Sequence, residues 1–266
     1  TFKGSDGLTR KFIPARLQDN PFLAEDGEYE RMLLSLPPVQ RRQLLEGNWD
    51  ISEGAAFAEF DMSVHVIPPF ALPAWWERLK GIDYGYASES CCLWGTIDPE
   101  DKTLIIYREL YKKGLTGEVL GDTITDMEAE EVKSIMGVLD TAAWSKTGYS
   151  GPTIGEMLTL KGHKLRRADK NRIAGKVQIH EYLRPNNDTG RPRLQIFNTC
   201  PNLIKELQGI PLSKSNPEDV DTNSADHAYD ALRYMIMSRP RLDHPHDRML
   251  RIKQDIYQPS DSTFGY

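Results

Sequence analysis

From Leu79 to Tyr111 the chain groups strand-forming residues around one turn sequence, Asp98-Pro-Glu-Asp-Lys102. That stretch commits the fold to a β-sheet. Leu79-Lys-Gly-Ile-Asp-Tyr-Gly85 reads as a first strand, Cys91 to Ile97 as a second and Thr103 to Tyr111 as a third. The second and third are rich in β-formers and flank the turn, which predicts a hairpin. The period then lengthens. Thr116 to about Lys133 has helical spacing behind an N-terminal Thr, and Ser134 to Asp140 returns to a strand. A helix (Thr153 to Leu160), a strand (His163 to Arg167) and a helix (Asn171 to Leu183) follow. A short strand, Arg193 to Phe197, precedes a last helix from near Ser224 to about Ser238. This order predicts an α/β domain whose mixed sheet joins antiparallel hairpin strands to parallel strands, flanked by helices.

Residues 1–50 read as a connector with helical content, too polar for a core of its own. Residues 51–240 hold the domain, and 241–266 form a polar tail whose His244 and His246 are not expected to bind metal. A start at Thr1 rather than Met gives the expectation of a piece cut from a longer protein. No GxxxxGK[ST] loop is present, so the chain is not expected to hydrolyse ATP by itself. No apolar run reaches the roughly 18 residues of a membrane-spanning helix. Cys91, Cys92 and Cys200 lack metal spacing and are expected as buried thiols in a reducing cytoplasm. Trp75-Trp76 is expected to anchor the connector on the domain.

Charge is unevenly placed. The chain carries a net -6, yet Lys161 to Arg193 holds ten basic and three acidic residues, a local +7 against -13 elsewhere. Such a stretch fits a phosphate-binding face, and equally a solvated helix surface.

Three acidic segments carry the chemistry. In Gly81-Ile-Asp-Tyr-Gly85, alternation along a strand puts Gly81, Asp83 and Gly85 on one face, with room for a metal ion and a phosphate beside the carboxylate. A solvated Asp in a strand-end turn is the plain alternative. Asp140 ends a parallel strand, where α/β sheets bind ligands, though it is equally placed to cap the next segment. On the last helix Ala228, Ala231, Leu232, Met235 and Ile236 make a buried stripe, with Asp226, Asp230 and Arg233 opposite. Those three would also suit a solvated face. Together the acids suit phosphodiester hydrolysis, in which two divalent cations about 3.5–4 Å apart activate water, stabilise the phosphate and neutralise the leaving oxygen. Hard Mg²⁺ or Mn²⁺ prefers carboxylate oxygens.

At these residues the sequence resembles the nuclease domain of phage terminase large subunits. Gly81-Ile-Asp-Tyr-Gly85, Val138-Leu-Asp140 and Asp226-His-Ala-Tyr-Asp-Ala-Leu-Arg-Tyr234 carry the likeness. Upstream, Phe12-Ile-Pro-Ala-Arg16, Asp19-Asn-Pro21, Leu36-Pro-Pro-Val-Gln-Arg-Arg-Gln-Leu-Leu45 and Gly47-Asn-Trp49 resemble that family's link between ATPase and nuclease. The resemblance implies a ribonuclease H-like fold and two-metal endonucleolytic cutting of concatemeric double-stranded DNA during genome packaging, in the host cytoplasm. Asp83 would bridge two Mg²⁺ or Mn²⁺ ions, Asp140 and Asp226 would complete the cage, and Asp230 would support it. An upstream ATPase domain, the portal and the small terminase subunit are the implied partners, with the tail a candidate for the portal. Where the family often has Asp-Pro, this chain has Ser88-Glu89, so that either Glu89 takes that carboxylate's role or the accessory ligand is missing. Lys170 and Arg172, then Arg166 and Arg167, are the expected phosphate contacts. His227 is expected packed or facing solvent rather than orienting water. A resolvase-like nuclease and a non-catalytic DNA-gripping or portal-docking module are the competing readings.

Overall fold

The computed structural model describes residues 55–131, 134–146, 151–186 and 189–239. It also describes Met32 and a two-residue antiparallel pairing of Phe2–Lys3 with Thr9–Arg10. The rest of the expected connector and the whole tail, His244 and His246 included, lie outside the described residues.

Seven strands form one sheet: β1 Val66–Ile67, β2 Arg78–Asp83, β3 Glu89–Ile97, β4 Leu104–Lys113, β5 Met136–Leu139, β6 Leu165–Arg167 and β7 Leu194–Phe197. Their order across the sheet is β1-β7-β4-β3-β2-β5-β6. The central β3 runs antiparallel to both β2 and β4, and the turn at Asp98 to Lys102 joins it to β4 as a hairpin, as the sequence predicts. The outer pairs β4–β7, β7–β1, β2–β5 and β5–β6 are parallel. The expected mixed sheet is therefore present.

Both faces are covered. From Ser90 to Ile97 every residue of β3 is buried, so this strand is covered on both faces and lacks a buried–exposed alternation. On one face lie α2 (Gly117–Met127) and α3 (Ile154–Leu160), packing Leu120, Ile124 and Leu158 against Ile82, Trp94 and Ile105. On the other lie α4 (Arg172–Leu183), α5 (Pro201–Gly209) and α6 (His227–Met237). Their Ile179, Leu203, Leu207, Leu232 and Met235 meet Leu79, Leu93 and Leu104. Each fully buried Leu or Ile here contributes about 1.5–3 kcal/mol. A four-residue α1, Met62–His65, precedes β1.

The starts of α2, α3 and α4 follow side-chain caps. Thr116 accepts from Val119 N–H ahead of α2, Asn171 accepts from Ala174 N–H ahead of α4, and Thr153 with Glu156 makes a capping box at α3. No element is expected between Phe197 and Ser224, yet α5 forms there, with Pro201 at its first turn and Leu203 and Leu207 one turn apart and buried. The last helix starts at His227, three residues later than expected.

Two readings of the acidic segments change. The face of α6 opposite the apolar stripe is not solvated: Asp230 and Arg233 are buried and paired at 3.0 Å. The space beside Gly81 holds helix rather than ligand, because a Cβ there would lie 2.2 Å from the Ala231 carbonyl oxygen. Absence of a side chain lets the α6 backbone rest directly on β2. The strand ends at Asp83, and Gly85 lies in the following turn against Ser88. The three cysteines are buried free thiols. Trp75 is 69% exposed, and the connector it was expected to anchor lies outside the described residues.

Candidate active site

Asp83 and Asp140 meet because their strands do. Ile82 pairs with Leu139 in the parallel β2–β5 ladder, and the Asp140 N–H donates to the Ile82 carbonyl at 3.1 Å. Both carboxylates thus leave the sheet at one end. Resting α6 on β2 brings its N-terminus to the same end, with Asp226 and Asp230. The four acids expected from sequence are gathered from three segments distant in the chain.

Bridging groups tie them together. The Tyr234 hydroxyl lies 3.4 Å from Asp140 and 3.5 Å from Asp230. His227 Nδ1 lies 3.0 Å from Asp83, and its Nε2 lies 3.6 Å from Glu89. Arg172, expected on DNA phosphates, instead forks into carboxylates: Nε to Asp219 at 2.9 Å, Nη1 to Asp230 at 3.2 Å and Nη2 to Asp226 at 3.5 Å. Arg233 holds the other oxygen of Asp230. His227 was expected to pack or face solvent; it joins the cluster instead.

The electrostatics match this crowding. Burial raises the Asp83 carboxyl pKa, a hydrogen bond from His227 opposes it, and the charges of Asp230 and Asp140 add to the rise. Burial and Asp230 push Asp226 up to about 6, against the pull of Arg172. His227 is raised chiefly by its hydrogen bond to Asp83. Burial pulls Arg172 down, and Asp230, Asp219 and Asp226 together more than reverse it.

The Asp226 carboxylate is not used for capping because another group does it. Asp226 occupies the N-cap position of α6 but makes no side-chain cap hydrogen bond. Buried Glu206, from α5, accepts the Tyr229 N–H at 2.8 Å and the Tyr111 hydroxyl at 3.0 Å. Burial lifts Glu206 to about 7 against those bonds. Sequence reasoning missed Glu206, Asp219 and Tyr234. Only Tyr234 carried a sequence signal, since it stands four residues after Asp230 on one helix face.

Of the basic stretch, Lys170, Arg166 and Arg167 are exposed. Arg167 pairs with Leu139 across the β5–β6 ladder and stacks 5.5 Å from the Trp144 ring centre, just beyond Asp140. Lys170 precedes α4. These cations flank the acids at the same end of the sheet.

All-oxygen, carboxylate-rich donors that repel one another suit a hard divalent cation in kind. Among the described residues no three His, Cys, Asp or Glu side chains close around one metal position. Asp226 and Asp230 turn to Arg172, Asp83 to His227 and Asp140 to Tyr234.

No protein-family model matches the chain, and no curated protein matches it in sequence. Solved structures do. The large terminase of the thermophilic bacteriophage D6E superposes with a TM-score of 0.58 at 17% identity, covering 83% of this chain and 53% of its own. The same protein in complex with ADP gives 0.58 and 17%, covering 84% and 54%. The P22 large terminase nuclease domain gives 0.57 at 15% identity, covering 78% of this chain and 99% of its own. This chain thus spans about half the length of the D6E protein and nearly all of the P22 domain. What these superpositions establish is the fold, a ribonuclease H-like mixed sheet of the kind that large-terminase nuclease domains carry.

Proposed function

We propose that this chain is the nuclease region of a phage terminase large subunit, a divalent-metal-dependent endonuclease that cuts concatemeric double-stranded DNA with little sequence preference. The convergence of Asp83, Asp140, Asp226 and Asp230 at one end of a ribonuclease H-like sheet carries this reading. Asp83, Asp140 and Asp226 would hold the Mg²⁺ or Mn²⁺ ions, two in number, and Asp230 would support the cluster through Arg233 and Tyr234. Bound divalent cations supply charge stabilisation for the phosphodiester transition state and activate a water.

The chain's own groups orient the reactants. His227 fixes one oxygen of Asp83 and leaves the other free. Glu206 takes the helix N–H groups that would otherwise compete for Asp226. Exposed Arg166, Arg167 and Lys170 grip the DNA backbone beside Asp140, a contact that carries no sequence information. The likeness to D6E large terminase, solved with ADP, supports an ATPase region in the same protein. The portal and small subunit would be its assembly partners, in the host cytoplasm.

A plasmid assay tests this. With Mn²⁺ the wild type is expected to nick and linearise supercoiled DNA. EDTA and Asp83→Asn should each abolish cutting, and Asp83→Asn should do so without lowering the melting temperature of the metal-free protein, since neutralising Asp83 removes repulsion. Unchanged nicking by Asp83→Asn would sink the assignment. Intact plasmid with no metal binding would leave a DNA-gripping or docking module.

A further inference from the structure

We infer that Arg172 is an internal counter-cation of the acidic site, holding Asp226 away from Asp83 until a divalent cation displaces it. The inference rests on the proposed metal-nuclease reading and adds a residue to it.

Its guanidinium is the one cationic side chain among the described residues that ion-pairs with Asp226. The same fork reaches Asp230, so it lies between two of the four clustered acids. A cation in that gap supplies the charge that the carboxylates need, and it also turns Asp226 toward itself. This accounts for an acidic cluster that does not close around one metal position among the described residues. A divalent cation and Arg172 therefore compete for the same oxygens.

The surroundings equip Arg172 to yield. Its contact with Asp226 is the longest of the three at 3.5 Å, and its contact with Asp219 the shortest at 2.9 Å. Asp219 sits on a loop that is itself fixed. One Asp219 oxygen accepts the Val220 N–H at 2.8 Å, and Lys176 donates to the carbonyls of Pro217 and Glu218 at 3.3 and 3.2 Å. Arg172 can thus leave Asp226 while retaining a charged partner. Asp230 keeps Arg233 at 3.0 Å after that departure and stays neutralised. Asp226 alone gains a free carboxylate. Arg172 is a positioning residue in this account, acting through Asp226.

Isothermal titration of Mn²⁺ into the full chain tests it without measuring cleavage. Arg172→Gln removes the competing charge and should bind Mn²⁺ about tenfold more tightly than wild type. Arg172→Lys keeps a charge but loses the fork, and should bind two- to threefold more tightly, as roughly estimated from the weaker single contact. The Lys variant decides the matter if the Gln variant does not fold. Affinity equal to or weaker than wild type in the folded variants overturns the inference and leaves the metal site standing, with Arg172 a builder of that site. Absence of Mn²⁺ binding in the wild type as well overturns both.

Discussion

Two buried polar clusters lie on opposite faces of the sheet, three residues apart along β2, and they balance charge in opposite ways. On the α2 side Lys80 is 1% exposed and meets Glu128 at 2.7 Å. Trp94 donates its indole N–H to the same Glu128 oxygen at 2.7 Å, and His163 lies 3.3 Å from Lys80 and 2.9 Å from the Gly121 carbonyl. Burial lowers the His163 pKa, which keeps that imidazole neutral. One cation meets one anion and the remaining groups are hydrogen-bonded. On the α6 side the ion pairs of Asp83, Asp219, Asp226, Asp230 and Glu89 run, among the described residues, to Arg172, Arg233 and His227, and Asp140 meets the Tyr234 hydroxyl. A balanced network ties a fold together, whereas an excess of one sign is left for something outside the chain to neutralise.

Mutation should separate the two. Lys80→Met leaves half-buried Glu128 without its cation and is expected to cost about 2–3 kcal/mol in urea unfolding, with or without Mn²⁺. A negligible loss would show that the balanced cluster is not structural. Asp226→Asn should act in the opposite direction. The folded-state value of about 6 lies above the ordinary 3.8, so the folded protein holds a proton more tightly than the unfolded chain between those values. Ionisation of Asp226 then lowers stability as pH rises through that window, and the loss is complete above it. In EDTA at about pH 7.5, Asp226→Asn should be more stable than wild type by roughly 1–2 kcal/mol, reduced for partial exposure, with the advantage gone near pH 4. A variant less stable than wild type at both pH values would mean that Arg172 already satisfies Asp226. The smallest effect belongs to the rim. Lys170→Ala should weaken DNA binding and reduce the salt slope by roughly one, and an unchanged slope would remove Lys170 from the DNA path.

Much of this was legible in the sequence because it depended on local spacing. Strand alternation and the turn at Asp98 placed β2 to β4, and an Asp at the end of β5 needed only strand direction to reach Asp83. Asp226 and Asp230 share a face by helical period alone. The fate of the basic stretch was not legible, since counting cations does not reveal what they face. Lys161 pairs with Asp122, Lys176 with carbonyl oxygens, Arg184 with Glu181, and Arg191 with Asp98 and Asp101. Arg172 faces acids contributed from 47 to 58 positions away. Such pairings are set by which helices pack together, as is the arrival of Glu206 from α5 at the start of α6. That helix itself escaped notice although Leu203, Ile204 and Leu207 recur at helical spacing, because it spans only nine residues between turn-forming segments.

The contact of Gly81 with Ala231 has a bearing on how the site can adapt. Main chain rests on main chain there, with no side chain between to compress or repack. Helix α6 has no nearer approach to β2, and a wider one would open a void along the sheet. The span from the end of β2 to the start of α6 is therefore a fixed gauge, as unyielding as the sum of two van der Waals radii. Adjustment to a ligand of different size is thus expected from torsions of Asp83, Asp226 and Arg172, side-chain rotations above a backbone braced at Gly81.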